Sequence, residues 1–172
     1  MSEPVFLRTV RTSDYPLMFE WVNNRELRLM SSAFTPVSWE DHLRWIDDVQ
    51  RDDTRKLFII TSEPEEAPIG QAVIFNISPT HMSCEFSIRI GSERHRDRGL
   101  GTRAVNLIIS HVWKEMLFHR ISLTVFRHNQ RAIRVYEKCG FEVEGILRDA
   151  ALVDGRWIDL VLMAILNPDR QG

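Results

Sequence analysis

The run Arg96-Asp97-Arg98-Gly99-Leu100-Gly101-Thr102-Arg103-Ala104 constrains this chain more than any other segment. It follows an apolar-alternating stretch, Phe86, Ile88 and Ile90, and it opens a helical pattern. A strand that breaks at glycines and turns into a helix leaves several backbone N–H groups unpaired and pointing one way. Glycines let a phosphate oxygen approach that backbone, and the helix dipole adds positive potential. Arg94, His95, Arg96, Arg98 and Arg103 crowd the same place, where they repel one another unless an anion neutralises them. The pattern points to a bound diphosphate. Alone, it is neither a P-loop, since no Gly-Lys-Ser/Thr ends it, nor the full dinucleotide fingerprint, since the third glycine is missing. A tight turn that binds nothing fits the two glycines equally well.

Composition narrows the partners. With 172 residues the default is one domain spanning residues 1–172, long enough to bury a core. A net charge of -2 argues against a nucleic-acid partner, which would need a basic face. Cys84 and Cys139 are too few for a disulfide framework or a zinc site, so no metal is expected and a reduced compartment fits. Met1 to Arg11 lack an apolar signal core and no stretch reads long enough to span a membrane. The expectation is a cytoplasmic protein with no membrane partner.

The apolar pattern orders the elements. Val5, Leu7 and Thr9 alternate as a strand, and Ser13-Asp14 is expected to cap a helix carrying Leu17, Met18, Trp21 and Val22. Ser38-x-x-Asp41 reads as a capping box for a helix through Leu43, Trp45, Ile46 and Val49. Leu57–Thr61 and Ile69–Ile77 pair as a hairpin around an acidic turn, and Glu85–Gly91 follows as a strand. Leu100, Ala104, Leu107, Ile108 and Val112 share one helix face. After the strand of Ile121, Leu123 and Val125, Asn129 caps a helix that Gly140 closes. Phe141–Leu147 and Trp157–Leu166 are strands joined by an Asp154-Gly155 turn. The order is mixed α/β.

The segment Asn129-x-Arg131-Ala132-Ile133-x-x-Tyr136-Glu137-Lys138-x-Gly140-Phe141 is more specific than the glycine loop. Together with Arg96-x-x-Gly99-x-Gly101, it resembles the GNAT superfamily of acetyl-CoA-dependent N-acetyltransferases. The likeness covers nearly the whole chain. It is closest to the branch of ribosomal-protein N-terminal, spermidine and amino-sugar acetyltransferases, with Trp21 to Arg25, Glu85, Ile90-Gly91, His119-Arg120-Ile121, Glu144-Gly145 and Gly155-x-Trp157-x-Asp159 as shared features. The resemblance implies a twisted, mixed but mostly antiparallel sheet of about seven strands, with splayed central strands and helices on both faces. It implies that the backbone of Ile88, Arg89 and Ile90 pairs with the pantetheine arm. The N–H groups from Arg96 through Asp97, Arg98, Gly99, Leu100 and Gly101 to Thr102 would hold the pyrophosphate. Asn129, Arg131 and Ala132 would also contact the donor. Asp97 departs from the family, which often has glycine there, and a carboxylate beside a diphosphate is electrostatically awkward.

Acetyl transfer needs a neutral amine, a polarised thioester carbonyl and a proton for the leaving sulfur. The resemblance puts the Tyr136 hydroxyl beside the CoA sulfur as proton donor. Deprotonating a lysine-like amine of pKa about 10.4 at pH 7 costs roughly 4–5 kcal/mol, but an α-amine near about 8 costs only about 1–1.5 kcal/mol. Glu85 is the candidate base, or else a carboxylate that merely binds the cationic amine. Trp21, Arg25, Glu26 and Phe34 lie where this family covers its acceptor groove, and they are the candidate substrate contacts. The expected acceptor is a polyamine, a peptide N-terminus or an amino sugar, and the expected assembly extends to a homodimer. The rival is a non-catalytic acyl-CoA binder or sensor.

Overall fold

The computed structural model describes residues 4–30, 35–62, 67–91 and 99–170. Its seven strands are β1 (Val5–Thr9), β2 (Lys56–Ser62), β3 (Ala67–Ser78), β4 (Ser83–Ile90), β5 (Arg120–Phe126), β6 (Glu142–Val153) and β7 (Arg156–Leu166). They form one sheet in the order β1-β2-β3-β4-β5-β7-β6. Neighbours run antiparallel, except that β4 and β5 are parallel. A parallel pair needs a crossover, and the helix α4 (Leu100–Lys114) supplies it. The sheet is mixed and mostly antiparallel with helices on both faces, as expected.

Alternation in the strands separates two cores. On one face Ile60, Ala72, Ile74, Cys84, Phe86, Ile121 and Leu123 pack against Leu100, Ala104, Ile108 and Val112 of α4 and Ile133 and Tyr136 of α5 (Gln130–Lys138). On the other face Leu57 and Ile59 pack against Met18 and Trp21 of α1 (Tyr15–Asn23) and Ile46 and Val49 of α3 (Trp39–Arg51). Each helix thus buries the stripe that its 3.6-residue period aligns.

Most local signals work as expected. Ser38 Oγ accepts from the Asp41 N–H at 3.1 Å, and Gly140 closes α5 at φ 94. Asp154 and Gly155 take φ 47 and 76, the left-handed pair of a tight hairpin turn. One expectation needs correction. Asp14 does not cap α1 with its side chain. Its carboxylate receives both guanidinium nitrogens of Arg8 at 2.7 Å and the Arg11 N–H at 2.8 Å, because a buried carboxylate needs those donors more than the helix needs a cap. α1 covers the expected residues and ends at Asn23. Asn24 then takes extended backbone and caps a separate five-residue helix α2 (Arg25–Leu29) by accepting from the Leu27 N–H at 3.0 Å.

The sheet opens at its centre. β4 and β5 pair only from Ser83↔Arg120 to Glu85↔Ser122. Beyond Glu85, β4 stays paired with β3 as far as Ile90, and β5 stays paired with β7 as far as Phe126. The edge of β4 from Phe86 to Ile90 that faces β5 therefore has no strand partner, which is the expected splay.

Candidate active site

Three backbone features converge where the strands part. The first is the unpaired edge of β4, ready to accept an extended chain as an added strand. The second is the start of α4. Gly99 sits at its N-cap in the left-handed region at φ 72, no side chain caps it, and its first turn holds no acidic residue. The Arg103 N–H makes the first helical bond, to the Gly99 carbonyl at 3.1 Å, so the N–H groups of Leu100, Gly101 and Thr102 precede the helical ladder. A Cβ added at Gly101 would meet nothing within 4 Å, so open space rather than packing surrounds this glycine. Leu100 buries its side chain in the core and offers only backbone. The third feature is the start of α5. Asn129 Oδ1 accepts from the Ala132 N–H at 3.2 Å, and its Nδ2 donates to the Met30 carbonyl at 3.1 Å. Arg131 is exposed on the first turn that follows. Arg96, Asp97 and Arg98 lie outside the described residues, as does Phe34.

Tyr136 is 8% exposed and lies edge-on to Phe86 of β4, with ring centroids 6.0 Å apart, and to Phe141 at 5.8 Å. Burial, helped by Cys139, pushes its hydroxyl up to about 12. Tyr136 therefore stays protonated at any working pH. The Cys139 thiol, which burial pushes up to about 11, donates to the Thr102 carbonyl at 3.5 Å and links the end of α5 to the start of α4 rather than acting as a nucleophile.

Glu85, Ser87, Arg89 and Gly91 lie on the sheet face that carries α1 and α3, since Arg89 pairs in register with Gln71, two residues from Val73 in that core. Glu85 Oε1 accepts from Asn76 Nδ2 at 2.9 Å. Asn76 takes φ 49 at a bulge in β3 between Phe75 and Ser78. Sequence reasoning missed Asn76, whose signal was its residue type, since asparagine tolerates the left-handed region. Ile88 and Ile90 turn to the opposite, α4-side core.

α2 crosses over this face. Arg25 at its start pairs with Asp154 of the β6–β7 turn at 2.9 Å, and Met30 at its end receives the Asn129 bond. Arg25 is thus a tether, and Glu26 is exposed on the same short helix. Trp21, expected in the acceptor groove, is instead 5% exposed and buried in the core of α1 and α3. Its indole lies against Gly91 so closely that a Cβ there would sit 2.0 Å from Nε1. Glycine is needed at 91 to let β4 pass under that ring.

The family described as acetyltransferase (GNAT) domain matches residues 5–142. The chain belongs to the GNAT acetyltransferase family. It is 32% identical over 121 residues to the probable N-acetyltransferase YjcK of Bacillus subtilis, a match that covers 70% of this chain and 66% of that protein. It is 29% identical over 135 residues to the ribosomal protein uS5-alanine N-acetyltransferase of Escherichia coli, covering 78% of this chain and 69% of that one. The crystal structure of spermidine N-acetyltransferase from Vibrio cholerae in complex with CoA and spermine superposes with a TM-score of 0.89 at 25% identity, covering 94% of this chain and 95% of that one. The chain is an N-acetyltransferase, and acetyl-CoA is its acetyl donor. The uncapped start of α4, the open space at Gly101 and the free edge of β4 suit that donor's diphosphate and pantetheine arm. Among the described residues no group of three His, Cys, Asp or Glu could hold a metal, and no helix is long and apolar enough to cross a membrane.

Proposed function

We propose that the chain acetylates a primary amine by direct attack within a ternary complex, the amine approaching on the Glu85 face of β4 beneath α2. The observation that carries this reading is the parting of β4 and β5 just beyond Glu85, with Tyr136 packed on Phe86 beside the gap. Acetyl-CoA bound there supplies the activated acyl group. The backbone of Ile88–Ile90 orients its pantetheine arm, and the N–H near Ile90 polarises the thioester oxygen. The N–H groups at the start of α4, with Arg96, Arg98 and Arg131, neutralise the phosphates.

Glu85 accepts the proton of the incoming ammonium, directly or through water, while Asn76 holds its other side. Tyr136 donates a hydrogen bond to the departing sulfur. Complete proton transfer from a hydroxyl near 12 to a thiolate near about 8.5 would be uphill by about 5 kcal/mol. Tyr136 therefore assists C–S cleavage as a donor whose proton stays mostly its own. The acceptor classes considered are a polyamine, a protein N-terminus and an amino sugar, in a cytoplasmic enzyme that pairs as a homodimer.

A thiol-release assay with acetyl-CoA and a panel of these amines tests the reading. Release of one CoA thiol per acetylated amine is expected. No release with any amine, despite saturable acetyl-CoA binding, would favour a non-catalytic acyl-CoA binder.

A further inference from the structure

Arg89 is a cation with no counter-charge among the described residues. Its Nε is buried without a hydrogen-bond partner, and among the described residues no carboxylate pairs with it. The charge close enough to perturb it is that of Arg28, on α2, which repels it. Burial first, and then Arg28, push its guanidinium down to about 10, so it remains charged at neutral pH. A desolvated guanidinium facing a second arginine is costly unless an anion completes the site.

Position decides which anion. Arg89 lies on the Glu85 side of β4, four residues along the strand, which is about 13 Å between Cα atoms. That is the face under α2 and not the face that carries α4, whose N-terminus serves the donor's diphosphate. Glu85 and Arg89 thus place a carboxylate and a guanidinium on one face of β4, matched to an acceptor with an amine at one end and an anionic group at the other.

We propose that Arg89, with Arg28, forms an anion subsite of the acceptor groove, so that this enzyme acetylates amines bearing a carboxylate or phosphate rather than polycations. This rests on the acetyltransferase reading above. A polycationic acceptor would place positive charge against the unpaired Arg89 guanidinium, whereas a carboxylate or phosphate makes charge-assisted bonds to it.

Matched acceptors test it: short peptides against their C-terminal amides, and amino sugars with and without a phosphate, each assayed by thiol release. Wild type is expected to favour the anionic member by roughly 10- to 100-fold in kcat/KM, the size of a charge-assisted hydrogen bond. Arg89→Met should erase that ratio and Arg89→Lys should partly restore it, with melting curves showing that both variants fold. Equal rates on both members of each pair, or preference for spermidine, would overturn the subsite while leaving the acetyltransferase reading intact. A rise in the KM for acetyl-CoA with an unchanged acid-to-amide ratio would reassign Arg89 to the donor's phosphates. A readout without turnover is the Arg89 Nε–Hε NMR signal, assigned by its loss in Arg89→Met. It should shift saturably on titration with the peptide acid and stay still with the amide, and no shift with either would overturn the proposal.

Discussion

Tyr136 and Glu85 divide the proton traffic unequally, and the difference is measurable. Tyr136 sits 8% exposed between Phe86 and Phe141, so Tyr136→Phe keeps the packing and removes only the hydroxyl. Its kcat should fall roughly 100-fold with little change in acetyl-CoA affinity, measured by steady-state kinetics and equilibrium titration. An unchanged kcat would remove the hydroxyl from the chemistry. Glu85→Gln should behave differently, because its importance depends on how firmly the acceptor holds its proton. For a lysine-like amine of pKa about 10.4 the loss should approach 100-fold, whereas an α-amine near about 8 should lose far less. Plotting the loss against amine pKa separates a base from a group that merely binds the ammonium, which would give a flat line.

Single elements carry the pH dependence and show where sequence was informative. Burial alone would raise the Asp14 carboxyl, but the hydrogen bonds from Arg8 and the Arg11 N–H, with both charges, hold it below its ordinary 3.8. A depressed carboxylate stabilises the fold above the unfolded value, and that contribution is lost as pH falls from about 4 through the folded value. Acid unfolding curves of Asp14→Asn should therefore lose about 2 kcal/mol at neutral pH and converge on wild type once the pH is below the folded value. This pair was invisible in the sequence, where Ser13-Asp14 had the form of a helix cap. The partner that decides its role, Arg8, lies on another element. Ser38, Asn129 and Gly140 were legible because each acts on backbone within four residues of itself. α2 was not legible: five residues carry too little periodicity to stand out, and both of its tethers, Asp154 and Asn129, are distant in sequence.

For the molecule as a whole, the donor site is an absence of pairing, and ligand binding should repair it. In hydrogen exchange the amides on the open edge of β4 between Phe86 and Ile90 should exchange freely without ligand and gain protection with CoA. Those paired to β3 should be protected in both states. CoA at 100 times its dissociation constant should raise stability by about 2.7 kcal/mol, read from a shift in melting temperature. Equal protection with and without CoA would mean that the pantetheine arm does not lie along β4. The strands, the order of elements and the helix α4 followed from alternation and glycine placement, while the mixed sheet was implied by the family resemblance. The extent of the gap did not, because pairing between β4 and β5 is set by packing of α4 and α5 beneath them and leaves no mark on either strand's own pattern.

The gap also bears on how the chain assembles. Because β4 and β5 share only three residue pairs, the sheet is two antiparallel sub-sheets, β1-β2-β3-β4 and β5-β7-β6, that meet at a short parallel seam. The seam brings Ser83 to Arg120, a shorter separation than Val5 to Ser62 or Arg120 to Leu166, so its weakness lies in its few pairs and not in loop closure. The three-pair seam is thus a weak junction between two better-paired sub-sheets. A ligand that lies along the seam binds only the finished sheet, so it should slow unfolding of the enzyme while leaving its rate of folding nearly unchanged.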